Sequence, residues 1–257
     1  MKLYKYHGAG NDFLLIDNRN GDICLTVEQI QQLCHRHLGI GADGLMLLNA
    51  GDNDVDFGME YYNSDGSGGM MCGNGARCMV AFAADLGFKS YRFRASDGFH
   101  CGNLVVDGNP KIISVLMKDV NEVRCVGTND FFLDTGTRHL VRFVDCVDEL
   151  TIDDVARQLR HDPRFAPIGT NVNYVFKDGD TLRMSTFEKG VEAETMACGT
   201  GVVAAALAAA TRYADVKSPV KVVTKGGEFT VEFKRGIDFH DIYLTGPAQF
   251  VAEIIVK

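Results

Sequence analysis

Cysteine followed by Gly-x-Gly occurs twice in this chain, as MMCGNGARC around Cys72 and as MACGTGVVA around Cys198. Each pair of glycines opens a run of small apolar residues that reads as a buried helix. A helix N-terminus carries N–H groups with no intrahelical partner and roughly half a positive charge, and glycine lets a ligand come close to that backbone. Such a turn binds a carboxylate, and the same field favours a thiolate over a thiol. Two of them would grip one carboxylate and aim a sulfur at each face of its α-carbon, which is what a two-base racemase requires. The α-hydrogen of an amino acid is only weakly acidic, so a site without an electron sink must stabilise the carbanion with fixed dipoles in dry surroundings. One cysteine removes the proton as a thiolate while the other, a thiol, delivers one to the opposite face. Their titrations are coupled.

The two cysteines are 126 residues apart, close to half of a 257-residue chain, and the offset recurs elsewhere. Gly10-Asn11 and the run Phe13 to Ile16 lie opposite Gly136-Thr137 and the run from His139 to Phe143. Asn63 in YYNSDGS lies opposite Lys189 in TFEKGVE, and GIGADGLMLL from Gly39 pairs more loosely with IGTNVNYVF from Ile168. A shared offset across several motifs predicts two homologous halves. The expected division is 1–117, joined by a C-terminal strand 247–257, and 118–246.

The elements that must hold the cysteines are legible in outline. LYKY, FLLID, GLMLL and VDFGMEYYN read as strands. Val27 to His35 reads as an amphipathic helix capped by Thr26, and Ile152 to Leu159 as another capped by Thr151. Residues 76–87 and 201–213 are apolar on nearly every face, so each is expected to be a helix buried all round. The class is α/β (α+β), two pseudo-symmetric halves, each a barrel-like mixed sheet around a central buried helix.

Composition narrows the function. The net charge of −8 and the absence of a basic run argue against nucleic acid or an anionic membrane as partner. The N-terminus MKLYKYHGAGNDF lacks the apolar core of a signal peptide, and the longest apolar run is too short to span a bilayer. The chain reads as cytoplasmic, with thiols kept reduced. The six other cysteines, Cys24, Cys34, Cys78, Cys101, Cys125 and Cys146, lack the Gly-x-Gly context and are expected to be packing residues. Gly8-Ala-Gly10 is a weak dinucleotide motif, because Phe13 takes the third glycine's place. Cys34, His35 and His37 lack a fourth metal ligand, so no metal is expected.

KYHGAGNDFLLID, HLGIGADGLMLL, YYNSDGS, MMCGNGARC, GTNVNYV, FEKGVEAETMACGTG and the closing GPAQFV resemble the diaminopimelate epimerase family in order and spacing, from the first residues to the last. The resemblance implies interconversion of LL- and meso-diaminopimelate without pyridoxal phosphate or metal, in lysine and peptidoglycan precursor synthesis, by a homodimer. It implies that Cys72 and Cys198 are the two bases and that Gly73-Asn74 and Gly199-Thr200 bind the reacting carboxylate through backbone N–H groups. Asn11, Asn63 and Asn171 match substrate-binding positions, and His139 and Glu188 match residues beside the cysteines. Lys189 stands where the family usually has an arginine for the distal carboxylate, and Thr137 where many members have an asparagine. A loop one residue longer than usual precedes Cys198. These departures touch the distal end of the substrate, so the competing readings are a racemase of this fold acting on another amino acid, such as histidine, and a non-catalytic amino-acid-binding homologue. Asn74 argues against proline-racemase relatives, which usually have histidine there, and the intact cysteine pair against phenazine-type isomerases.

Overall fold

The computed structural model describes residues 1–69, 72–146 and 152–257. The first elements are β1 (Lys2–Gly8), β2 (Asn11–Asn18), α1 (Val27–Cys34), β3 (Gly44–Ala50), β4 (Phe57–Asn63), α2 (Gly73–Asp85), β5 (Arg92–Ala95), β6 (Gly98–Val106) and β7 (Lys111–Leu116). There follow β8 (Arg124–Cys125), β9 (Asp130–Asp134), β10 (Arg138–Phe143), α3 (Ile152–Arg160), β11 (Asn171–Asp178), β12 (Thr181–Glu188) and β13 (Ala193–Thr195). The chain closes with α4 (Gly199–Arg212), β14 (Val220–Thr224), β15 (Gly227–Arg235) and β16 (Phe239–Ile255). Two compact units result, Met1–Val115 with Gly246–Lys257, and Leu116–Thr245.

In the first unit the strands run β1-β2-β3-β4-β5-β6-β7, and β16, hydrogen-bonded to both β7 and β1, closes them into a barrel. β2–β3 and β4–β5 are parallel, while β1–β2, β3–β4, β5–β6, β6–β7 and β1–β16 are antiparallel, so the sheet is mixed. α2 is the plug. Its residues Gly73 to Ala83 are all buried, because a helix of alanine, glycine and a few larger apolar groups fits where strands surround it. α1 lies on the sheet's other side as an ordinary amphipathic helix. Thr26 and Gln29 form a reciprocal capping box, and Ile30 and Cys34 bury into a cluster with Leu3, Leu14, Ile16, Leu45 and Leu47.

The second unit repeats the plan around α4, whose residues Val202 to Ala210 are buried. Its strands run β8-β9-β10-β11-β12-β14-β15-β16, with β13 beside β12, and β10–β11 is parallel as β2–β3 is. α3 occupies the expected stretch; the Thr151 cap lies outside the described residues.

The repeat is not kept at one offset. Phe13 pairs with Gly44 where His139 pairs with Asn171, a step of 31 residues against 32. Along the next hairpin Gly44 faces Asn63, whereas Val172 faces Phe187, which sets Asn171 against Glu188. The residue at Asn63's place is therefore Glu188, and not the Lys189 that a uniform offset predicts. The second unit gains one residue before β11 and loses two in the β11–β12 hairpin.

Candidate active site

Both cysteines occupy the same backbone position. Cys72 is the N-cap of α2 with φ −111° and ψ 121°, and Cys198 the N-cap of α4 with φ −114° and ψ 110°. The helices begin three and two residues earlier than the apolar runs suggest, so Gly73-Asn74-Gly75 and Gly199-Thr200-Gly201 form the first turns. The N–H groups of those turns face outward from the helix end beside each sulfur. None of the eight cysteines is joined in a disulfide.

In the first unit the Cys72 Sγ lies 3.8 Å from Asn11 Oδ1, and Asn74 Nδ2 donates to the same oxygen at 3.4 Å. Asn11 Nδ2 donates to Asp43 Oδ2 at 2.7 Å. Asp43 and Asp12 share Arg36, and Lys5 pairs with Asp12 at 2.9 Å. Burial alone would raise the Asp12 carboxyl, but the hydrogen bonds from Arg36 and Lys5 outweigh it and hold it down at about 2.

Beneath the turn lies Arg77, fully buried in α2. It donates to Asn74 Oδ1 at 2.8 Å, to the Gly73 carbonyl at 3.1 Å and to the Pro247 carbonyl at 3.4 Å. Burial pushes its guanidinium down to about 10, against the pull of the Cys78 and Cys72 sulfurs, so it stays charged at neutral pH. Asn63 closes β4. Its amide accepts from Tyr61 Oη at 2.8 Å and donates to Ser67 Oγ at 3.0 Å, within the turn that ends the hairpin.

In the second unit the Cys198 Sγ is 3.4 Å from Thr200 Oγ1. His139 Nε2 is 3.0 Å from Thr200 Oγ1 and 3.0 Å from Thr137 Oγ1. On its other side His139 Nδ1 meets Asn173 Nδ2 at 3.0 Å. Asn173 is itself pinned, donating to the Leu140 carbonyl at 3.1 Å and accepting from Thr186 Oγ1 at 2.9 Å. His139 and Asn173 have no exposed surface. Burial holds the imidazole at about 3, against the opposing pull of Asp134, so the ring is neutral at working pH.

Asn171 spends its amide inside the protein. It donates to Thr137 Oγ1 and the Arg138 carbonyl and accepts from the Lys189 N–H, at 3.0, 3.1 and 2.8 Å. It thereby ties the β10 entry to the start of the loop before Cys198. The Lys189 side chain is exposed, and Glu188 accepts from Thr195 Oγ1 at 2.9 Å.

The structure thus gathers Cys72, Gly73, Asn74 and Asn11 in one unit, with Asn63 at the adjoining turn. In the other it gathers Cys198, Gly199, Thr200 and His139, with Asn171 and the Glu188–Lys189 corner alongside. Sequence reasoning missed Arg77, Asp43, Asn173 and Thr186. A lone arginine in an apolar helix and two asparagines in the apolar run NVNYV were the available signals, since a buried polar group demands a partner. One expectation needs correction: Cys34 and Cys78 are packing residues, but Cys24 and Cys125 are exposed. Cys24 precedes the α1 cap, and Cys125 lies in the two-residue strand β8, where neither is covered. Among the described residues no cluster of histidine, cysteine and carboxylates suits a metal, and no helix is long and apolar enough to cross a membrane.

A family model described as diaminopimelate epimerase matches residues 3–121 and 131–251. A diaminopimelate epimerase of Flavobacterium psychrophilum is 41% identical over 264 residues, covering all of both chains. That of Chlorobaculum tepidum is 42% identical over 251 residues, 95% of this chain and 96% of the relative. Among solved structures, a Bacillus anthracis phenazine biosynthesis protein of the PhzF family superposes with TM-score 0.77 at 14% identity, over 100% of this chain and 99% of that one. A probable proline racemase from Agrobacterium radiobacter, solved with bound carbonate, gives 0.68 at 17% identity over 100% and 92%. At these identities the solved structures speak for the fold alone.

Proposed function

Because the chain belongs to the diaminopimelate epimerase family, we propose that it interconverts LL- and meso-diaminopimelate by passing the α-proton between Cys72 and Cys198. The observation that carries this reading is the matched pair of N-cap cysteines, each at the end of a helix buried all round. The first-turn N–H groups of Gly73-Asn74 and Gly199-Thr200 bind the α-carboxylate, where helix dipoles favour negative charge. They also stabilise charge that delocalises from the α-carbon into that carboxylate as the proton leaves. One sulfur takes the proton as a thiolate, and the other, as a thiol, returns one from the opposite side. No pyridoxal or metal is invoked.

Asn11 and Asn63 line the substrate on the Cys72 side, and Asn171 sets the position of Lys189, which meets the distal carboxylate as a point charge. His139 and Glu188 support the Cys198 side. The wider reading places the enzyme in the cytoplasm as a homodimer, in lysine and peptidoglycan precursor synthesis; the family resemblance supports it.

The test is α-deuterium incorporation by the reduced protein in deuterated water. LL- or meso-diaminopimelate acquires deuterium and each is converted to the other. Cys72→Ala and Cys198→Ala each lower inversion by roughly 10³-fold. Inversion that survives both substitutions overturns the mechanism. Exchange with a different amino acid, and none with diaminopimelate, overturns the substrate while leaving the mechanism standing.

A further inference from the structure

The two sulfurs are met by hydrogen-bonding groups of opposite polarity. Beside Cys72 the orientation of every amide is dictated by a group that can act in only one way. Arg77 can only donate, so Asn74 turns its Oδ1 toward it and its Nδ2 toward Asn11. The Asp43 carboxylate accepts from Asn11 Nδ2, so Asn11 presents its Oδ1 to the Cys72 sulfur. A carbonyl oxygen is satisfied by S–H and repelled by S⁻. Cys72 is met by an acceptor.

Beside Cys198 the same logic gives the reverse. The Leu140 carbonyl can only accept, which fixes Asn173 with Nδ2 toward both that carbonyl and His139 Nδ1. Thr186 Oγ1 donating to Asn173 Oδ1 secures the same orientation. His139 Nδ1 therefore accepts, and the neutral ring carries its proton on Nε2, facing Thr137 and Thr200. Thr200 cannot donate to a nitrogen that is itself a donor, so its hydroxyl proton is directed at the Cys198 sulfur, 3.4 Å away. An O–H aimed at sulfur favours S⁻.

Building on the two-cysteine reading, we propose that the free enzyme rests with Cys198 as the thiolate and Cys72 as the thiol, and that Thr200, His139 and Asn173 are the positioning residues that set this polarity. The helix ends act on both sulfurs alike and cancel in the comparison. Among the charges, the buried Arg77 attracts negative charge onto Cys72, an effect that the touching hydrogen-bond groups must outweigh. The groups in direct contact decide the balance. A resting enzyme in this state first turns over the isomer whose α-hydrogen meets Cys198.

The experiment is the pH dependence of iodoacetamide alkylation, resolved cysteine by cysteine by peptide mass spectrometry on the reduced protein. Midpoints are compared and not rates, because Cys198 is the more buried of the two. The midpoint of Cys198 lies at least one pH unit below that of Cys72, a tenfold difference in ionisation constant. Thr200→Val raises the Cys198 midpoint and leaves that of Cys72 in place, and Thr200→Ser restores it. Asn173→Asp, which accepts from Nδ1 and so moves the ring proton off Nε2, raises the Cys198 midpoint with Thr200 still present. A Cys72 midpoint at or below that of Cys198 in the unaltered protein overturns the proposal, as does a Cys198 midpoint indifferent to both Thr200→Val and Asn173→Asp. Neither outcome depends on turnover, so failure of deuterium exchange tests the epimerase reading separately.

Discussion

The first half buries its charge on the helix, and the second keeps its buried polarity on the strands. Arg77 sits four residues into α2; the same place in α4 is Val203, equally buried. In exchange, the second half has His139 on β10, Asn173 on β11 and Thr186 on β12. By the strand registers, Phe13, Met46 and Tyr61 hold those places in the first half. The backbone device is copied faithfully, down to N-cap angles that differ by only a few degrees in φ. The side chains around it are not. Duplication supplies two anion-binding helix ends with a sulfur on each, and divergence at a few interior positions makes the sulfurs unequal.

Exchanging the interior residues is the severest way to break this comparison. Arg77→Val, which copies the second half into the first, leaves the Gly73 and Pro247 carbonyls and Asn74 Oδ1 without the donors they now have. Relief from burying a guanidinium offsets part of that loss. We expect a net destabilisation of about 3 kcal/mol, read as a lower urea midpoint at unchanged slope. An Arg77→Val protein as stable as the parent means that the arginine is not what holds the first turn of α2.

A smaller effect separates the halves by acid. The neutral His139 is held at about 3, below its ordinary value of 6.5. Between those values the unfolded chain binds a proton that the folded one refuses, so stability falls as pH drops through that window and levels off below it. By pH 4 the loss is about 3 kcal/mol. Phe13 has no proton to gain. The most strongly lowered carboxyl of the first half is Asp12, whose contribution is complete above its ordinary 3.8 and disappears as pH falls toward 2. Hydrogen exchange at pH 4.5 is therefore expected to open α4 amides relative to neutral pH while α2 amides keep their protection. Equal loss in both helices contradicts the assignment of His139 as the acid-sensitive group.

The residues that are apolar by position were the legible ones. The strands, the Thr26 cap and the two core helices follow from local pattern, because a 3.6- or 2-residue period and a capping threonine act over a few neighbours. The cysteine turns were legible for the same reason. What pattern does not carry is the partner of a buried polar group, since Arg77 reaches Pro247 and Asn173 reaches His139 across long stretches of chain. The register changes were hidden too. A uniform offset put Asn63 against Lys189, and only the hairpin pairing shows that Glu188 holds that place.

The finest form of the comparison uses one substitution twice. Gly75 and Gly201 are equivalent first-turn glycines, each three residues after its cysteine. A Cβ on Gly201 would sit 2.5 Å from Asn173 Oδ1 and 3.4 Å from His139 Cε1. The amide cannot retreat without giving up Leu140, Thr186 or the histidine. Gly201→Ala is expected to cost about 2 kcal/mol and to raise the Cys198 alkylation midpoint, because the strain falls on the residue that fixes the ring tautomer. A Cβ on Gly75 would instead meet Met46 Sδ at 3.2 Å. A thioether on an unbranched chain moves aside at little cost, and alanine gains helix propensity over glycine. Gly75→Ala is expected to change stability by less than about 1 kcal/mol in either direction and to leave the Cys72 midpoint unchanged. The first-turn N–H survives both substitutions, so carboxylate binding is not at stake in either. A thermal melt of the two variants side by side checks the asymmetry, and equal shifts show that the rigid polar network behind Gly201 is no stiffer than a methionine.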